Sequence, residues 1–536
     1  MKTKIYGWLC IMVVALFTSC LSDDSTGPTV DVSDIEVGGM QESYERKAFV
    51  GDYLQISPTI TTEYADDQLE YTWLLLSATT GKKDSEGNYE EPKVIGHERN
   101  LNYPIQMSAG SYELRLMVKA TPNGYTVVKS AKLTVTTTFS HGFYIMKETA
   151  EGNTELDMLT TDGQLGQNLL AQLHGKALEG KPYALSTDYN HFYINEETGE
   201  MEGTHALMVT TDRGEMNVLR ASDLKVIFDR TNLRYEQMPE GEQPGLLARN
   251  SMFSLFFSSN GVYHVWAKSM YTDLGVVPAN SGRFGYPDNE AVGASRYAMI
   301  DPGCYGGFYF WDAKNHSIMA IDMNMQQAVP LAKQDGTGKE LTQNLVGFEC
   351  LACGMNYVNS TATGVFVLGD TSTGRRYLYT TYSAFGVQAL DKRMDINPNS
   401  HMATASCYSV NGMSARYVYC VDNGKIYGCN LNSADLAETA INPQGIGSGE
   451  TVTYVSNQYW NASYGDKQSN FNYFVVATKE GPNYHVYMYN MVGGLPDGAP
   501  LLSVSGVGTP KAVRFLFGKG YFSENDYNGA FYPNAD

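Results

Sequence analysis

Across residues 30–138 the chain alternates apolar and polar positions in short runs. Leu54, Ile56, Pro58 and Ile60 occupy every second position of one run, and residues 69–75 repeat the habit around Trp73. The clearest run is 111–118, where Tyr112, Leu114, Leu116 and Val118 share a face. Two more, 126–128 and 131–135, follow it. A period of two, in segments of strand length, predicts an antiparallel sandwich. The segment holds no cysteine, so its core has to cohere by packing alone, which about 100 residues can supply.

Beyond residue 140 a second rhythm sets in. Runs rich in aromatics and valine occur at 143–146, 207–210, 255–258, 308–311, 365–368, 417–420 and 473–476. Their starts lie roughly 50–65 residues apart, a period proper to repeated supersecondary units. Several are followed by a turn and a returning run, as at 214–219, 317–322, 424–427 and 484–489. Asp422, Asn423 and Gly424 have the chemistry of a tight hairpin. An all-β unit repeated in this way predicts a β-propeller over residues 140–536 with about seven blades, six and eight being the neighbouring counts. A last apolar strand at 513–517 is expected to join the first blade, because ring closure removes exposed strand edges. The expected fold class is therefore all-β, an immunoglobulin-like sandwich followed by a propeller.

The N-terminus departs from both rhythms. Lys2 and Lys4 precede an apolar run at 5–17, and Thr18 and Ser19 lead to Cys20. A basic start, a short apolar stretch and small residues form a secretory signal, expected here over residues 1–19. The stretch is shorter than the roughly 20 apolar residues a membrane span needs. The small residues ending on Cys20 resemble the bacterial lipobox, which implies that Cys20 carries lipid and that residues 20–29 are a tether. Ser22, Asp23 and Asp24 resemble the surface-export signal of Bacteroides-type lipoproteins. The resemblance implies a chain anchored in the outer membrane by lipid alone and facing the cell exterior.

Charge narrows the partners. The formal net charge is −20, and loss of Lys2 and Lys4 with the signal takes it to −22. Such a surface repels nucleic acid and anionic lipid, so both are set aside. Outside the signal and anchor, the cysteines are Cys304, Cys350, Cys353, Cys407, Cys420 and Cys429. An oxidising location permits disulfides, but six cysteines allow about 15 pairings and sequence does not choose among them. Cys350 and Cys353 form one CxxC without a second pair, which argues against a zinc site.

No catalytic pattern stands out. There is no Gly-x-Ser-x-Gly elbow, no His-Glu-x-x-His and no EF-hand loop, and the nine histidines are scattered. Neither a cofactor nor a metal is expected. Binding has more support, since propellers gather blade loops around a central funnel. Tyr459, Trp460 and Tyr464, in an aromatic loop at 457–464, are the expected contact patch for a peptide or glycan.

Within residues 30–138 three pieces resemble the PKD-like, immunoglobulin-type domain: Gly51-Asp52-Tyr53-Leu54, Tyr71-Thr72-Trp73, and Ala109-Gly110-Ser111-Tyr112-Glu113-Leu114. The resemblance makes Trp73 the core aromatic and Tyr112 the corner tyrosine. Lipobox, PKD-like segment and aromatic repeats together resemble the PKD-like family lipoproteins of Bacteroidetes, which occur beside SusC/SusD-type uptake systems. That implies a non-enzymatic accessory protein that captures a peptide or glycan, or docks on the transporter and its lipoproteins. The alternatives are a propeller hydrolase or lyase at the cell surface and a purely structural partner of the transporter.

Overall fold

The computed structural model describes residues 32–516, except 50–51, 78–91, 106, 108–109, 138, 197–198, 200, 251–252, 267–281, 286–289, 305, 325–326, 360, 385 and 461–469. The chain divides into two compact units. The first holds the chain up to Arg46, Tyr53–Pro104 and Gly110–Thr134; the second holds the chain from Val135 on, with Lys47–Asp52 and Ile105–Ala109.

The first unit is a sandwich. Its largest sheet runs, in spatial order, Ser43–Lys47, Thr126–Thr136, Gly110–Ala120, Leu69–Ser77 and Lys93–Gly96. Tyr53–Ile56 pairs with Leu101–Pro104, and Glu36–Gly38 with Thr59–Thr61. The period of two survives in the burial: Leu114, Leu116 and Val118 are buried while Arg115 and Met117 are not. Trp73 is fully enclosed, and its indole N–H donates to the Glu98 carbonyl (2.9 Å), so its polar atom is satisfied inside the core. Tyr112 sits opposite Ser77 at the strand end, half-buried.

The second unit is a propeller. Among the described residues it contains seven sheets, six of four strands and one of three. Numbered along the chain, the blades have inner strands Pro182–Ile194, Pro244–Arg249, Ala294–Asp301, Phe348–Val358, Cys407–Val410, Thr451–Trp460 and Thr509–Leu516. Each inner strand packs on the next, and the last returns to the first. The seventh blade joins the two ends of the unit. Its inner strand pairs with Gly142–Glu148, Phe143 lying opposite Phe515 and Tyr144 opposite Arg514.

The seven aromatic runs of the sequence are the second strands of the seven blades. A second strand is covered on both faces, so it reads as a continuous apolar run rather than an alternating one. Phe253–Ser258 and Gly307–Asp312 are buried along their whole length. Most of the apolar core lies in seams between consecutive blades. Phe257 meets Phe308 and Phe310 between the second and third, and Tyr419 meets Phe474 between the fifth and sixth. A polar seam closes the ring: Lys147 and Tyr484, from the seventh and sixth blades, both reach Asp157. Gly506 makes room for that tyrosine, since a Cβ there would lie 2.5 Å from its ring.

Candidate functional site

A blade of four up-and-down strands returns the chain to the face where it began, so inner strands start on one face and end on the other. Contacts between neighbouring inner strands agree. The Leu247 N–H donates to Ser186 Oγ (2.9 Å), that of Val513 to the Tyr454 hydroxyl (3.2 Å) and that of Phe515 to Gln458 Oε1 (3.3 Å). The starts surround one mouth of the axis and the ends surround the other.

At the starts, six of the seven inner strands slip out of register with their second strand. The residues left over are Tyr183, Gly245, the trio Ser295, Arg296 and Tyr297, then Leu351, Thr453 and Lys511. A bulge of this kind re-aims a side chain off the regular alternation. The third blade has the widest. Ala294 pairs with Asp312 and Ala298 with Phe310, so three residues stand against Trp311 alone. Ser295 Oγ braces the loop by accepting from the Tyr297 N–H at 3.2 Å.

The wide bulge sends Arg296 across to the first blade. Its Nη1 donates to the Tyr183 carbonyl (2.5 Å) and its Nη2 to the Tyr297 hydroxyl (2.9 Å). The guanidinium carbon lies 5.1 Å from the Tyr183 ring centre and 5.0 Å from that of Tyr297, within cation–π range. The blade it crosses carries Gly245 in its own bulge, where a Cβ would come within 2.9 Å of the Ser295 carbonyl oxygen. Arg296, Tyr183 and Tyr297 are all half-buried although they belong to innermost strands. All three stand at the starts of their strands, the end that surrounds the mouth.

Among the described residues Arg296 has no carboxylate partner. Lys147 rests on Asp157 at 2.7 Å and Arg234 on Glu242 at 2.8 Å, both buried. Burial raises the pKa of Tyr183 and Tyr297 above that of an ordinary phenol, with Arg296 pulling back, so both are neutral hydroxyls at neutral pH. Burial also lifts the Cys350 thiol beside them, which keeps it protonated and a poor nucleophile. The cluster offers cationic and hydroxyl donors rather than an acid–base pair.

The opposite end is closed by short polar side chains. Asn250 donates to the carbonyls of Gly306 (3.2 Å) and Met323 (3.0 Å) in the third blade. Asn356 donates to those of Asn411 (2.6 Å) and Ala415 (2.7 Å) in the fifth. Asn457 accepts from the Gly412 N–H at 2.7 Å. Asp301 accepts from Ser383, and burial raises its carboxyl. His191, fully buried, lies 2.8 Å from Asp188 through Nδ1 and 3.0 Å from the Gly282 carbonyl through Nε2. A carbonyl only accepts, so Nε2 carries the hydrogen of that contact.

The aromatic patch expected from sequence falls at this closed end and is corrected here. Tyr459 and Trp460 are strand residues, 4 % and 1 % exposed, not loop contacts. The Tyr459 ring lies over Gly412, where a Cβ would sit 2.0 Å from it, and Trp460 packs toward Phe515. Tyr464, Cys20, Ser22, Asp23 and Asp24 lie outside the described residues. Among the described residues no disulfide joins Cys304, Cys350, Cys353, Cys407, Cys420 or Cys429, all of them in the propeller. Among the described residues no three His, Cys, Asp or Glu side chains converge as a metal site, and no helix is long and apolar enough to cross a membrane.

The sandwich has an open depression of about 740 Å³ lined by residues including Glu70, Tyr71, Glu98 and Arg99. Glu70 pairs with Lys119 (3.0 Å), and Arg99 Nε donates to the Pro58 carbonyl (3.3 Å).

Residues 20–182 match the PKD-like family. The PKD-like match covers the sandwich and runs on through the three outer strands of the seventh blade to the start of the first inner strand. No curated protein matches the chain. Solved structures similar to it include a quinonprotein alcohol dehydrogenase-like protein from Bacteroides thetaiotaomicron, with 14 % identity over 89 % of this chain and 97 % of that one, TM-score 0.46. Another is a putative 6-phosphogluconolactonase from Bacteroides fragilis, with 10 % identity over 84 % and 99 %, TM-score 0.31. A third is the calcium-binding protein regucalcin from Agrobacterium tumefaciens, with 12 % identity over 56 % and 84 %, TM-score 0.29. At such scores the propeller rests on its own strand order, and no activity follows from the likeness.

Proposed function

We propose that this chain is a lipoprotein held at the outer-membrane surface through Cys20, and that its propeller captures a peptide or glycan for a SusC/SusD-type uptake system without altering it chemically. The anchor and address rest on the sequence around Cys20, Ser22, Asp23 and Asp24. The PKD-like sandwich serves as the spacer between membrane and propeller. Capture is carried by one observation: six inner strands bulge at the same end, and the widest bulge holds a half-buried Arg296 between Tyr183 and Tyr297. Bulges are devices for aiming side chains, and they gather next to sites of function.

The test is an affinity pull-down of the native lipidated protein from detergent-solubilised outer membranes. Recovery of a SusC/SusD-like pair is the expected outcome. Recovery of the chain alone, with product release from a mixed glycan and peptide library, overturns the reading in favour of a surface hydrolase or lyase.

A further inference from the structure

We infer that the ligand captured at the axial mouth carries a carboxylate, and that Arg296 receives it. The inference rests on the capture reading above and adds to it the chemical class of the ligand.

A guanidinium has five N–H donors in a planar fork that matches a carboxylate. Arg296 spends one on the Tyr183 carbonyl and one on the Tyr297 hydroxyl, which leaves three. Both bonds go to neutral oxygens, so neither cancels the charge. The sequence has 58 acidic residues against 38 basic ones, so carboxylates are in ample supply. At Lys147 and Arg234 the fold places one against the buried cation. At Arg296, among the described residues, it places tyrosine rings and a carbonyl instead. The rings flank the fork, and its other three donors meet no partner among the described residues. The Tyr297 hydroxyl accepts from Arg296, so its own hydrogen is available to a second ligand oxygen.

The backbone shows the same arrangement independently. Arg296 reaches the first blade from a bulge of three residues against Trp311, and Gly245 of the intervening blade lets the backbone of that bulge approach closely, since a Cβ there would lie 2.9 Å from the Ser295 carbonyl oxygen. Tyr183 and Tyr297 add flat apolar surface beside the charge, which suits a carboxylate attached to a sugar ring or to a peptide backbone. The overall negative charge repels an anion at long range, so discrimination has to come from the short-range fork.

The experiment is titration calorimetry on the full-length lipidated protein in detergent. Four probes form two matched pairs: tetragalacturonic acid with its methyl ester, and an N-acetylated tetrapeptide with a free C-terminal carboxylate and its amide. At least one acid is expected to bind at least about 10-fold more tightly than its neutral twin, the order for a hydrogen bond to a charged group. The pair showing the preference identifies the source of the carboxylate. Arg296→Gln is expected to abolish the preference, and Arg296→Lys to retain part of it, having the charge without the fork. Unchanged melting temperatures for both variants exclude simple misfolding. If acid and neutral probes bind equally, or if Arg296→Gln leaves the acid preference intact, this inference falls and capture stands. If none of the four probes binds at millimolar concentration, this inference falls, and the pull-down alone decides the capture reading.

Discussion

The two ends of the inner-strand ring are built from the same seven strands and behave oppositely. At the far end Asn250, Asp301, Asn356 and Asn457 each bond to backbone or hydroxyl groups of an adjoining blade, and the aromatics among them are buried. At the near end the strands bulge, and Arg296, Tyr183 and Tyr297 keep part of their surface exposed. The far end spends most of these polar groups on holding blades together, although Asp188 Oδ1 and Asn356 Oδ1 stay buried without a partner among the described residues. The near end leaves donors unspent. What separates the two ends is that one buries its polar groups and the other keeps a cation partly exposed.

Substitutions that break this comparison should differ in size. Trp460→Ala, at the closed end, removes a fully buried indole and is expected to cost about 3–5 kcal/mol in urea unfolding. A loss under 1 kcal/mol would mean that the ring is not core. Gly412→Ala pushes a methyl into the Tyr459 ring and is expected to cost about 1–3 kcal/mol. Asn356→Ala strands two carbonyls of the fifth blade for a similar cost of about 1–3 kcal/mol.

Acid should loosen the same end. Burial, with Arg249 nearby, lowers the pKa of His205 to about 4 from 6.5. Between those values the unfolded chain binds the proton more readily than the folded one. The contribution of neutral His205 is thus complete above pH 6.5 and is lost as pH falls toward 4, by about 3 kcal/mol. Unfolding curves of the protein and of His205→Gln across that interval check it, the variant having the shallower slope. At the near mouth, Lys511→Ala breaks only an exposed pair with Glu148 (3.5 Å) and should change stability by no more than about 0.5 kcal/mol.

The sequence read the second strands well and the inner strands poorly, for one physical reason. A strand covered on both faces needs apolar residues at every position, so 255–258 and 308–311 announced themselves. An inner strand has one side on the axis and accepts polar residues there, so Ala294–Asp301 left no such mark. The aromatic loop at 457–464 misled because aromatic residues enrich binding loops and cores alike. Trp460 turned out to end a strand under Phe515. Aligning the repeats on their second strands would have set Tyr183, Gly245 and Arg296 at comparable places, but nothing in their identities distinguished them.

Sequence alone determined the all-β class, the sandwich with Trp73 at its centre, the count of about seven blades and the closing strand, because periodicity and burial are local properties summed along a chain. Tertiary structure alone decided which residues meet. Tyr183 and Arg296 are 113 positions apart and belong to blades that are not neighbours. Ring closure and the width of one bulge bring them together, with Gly245 admitting the close approach of the bulge's backbone.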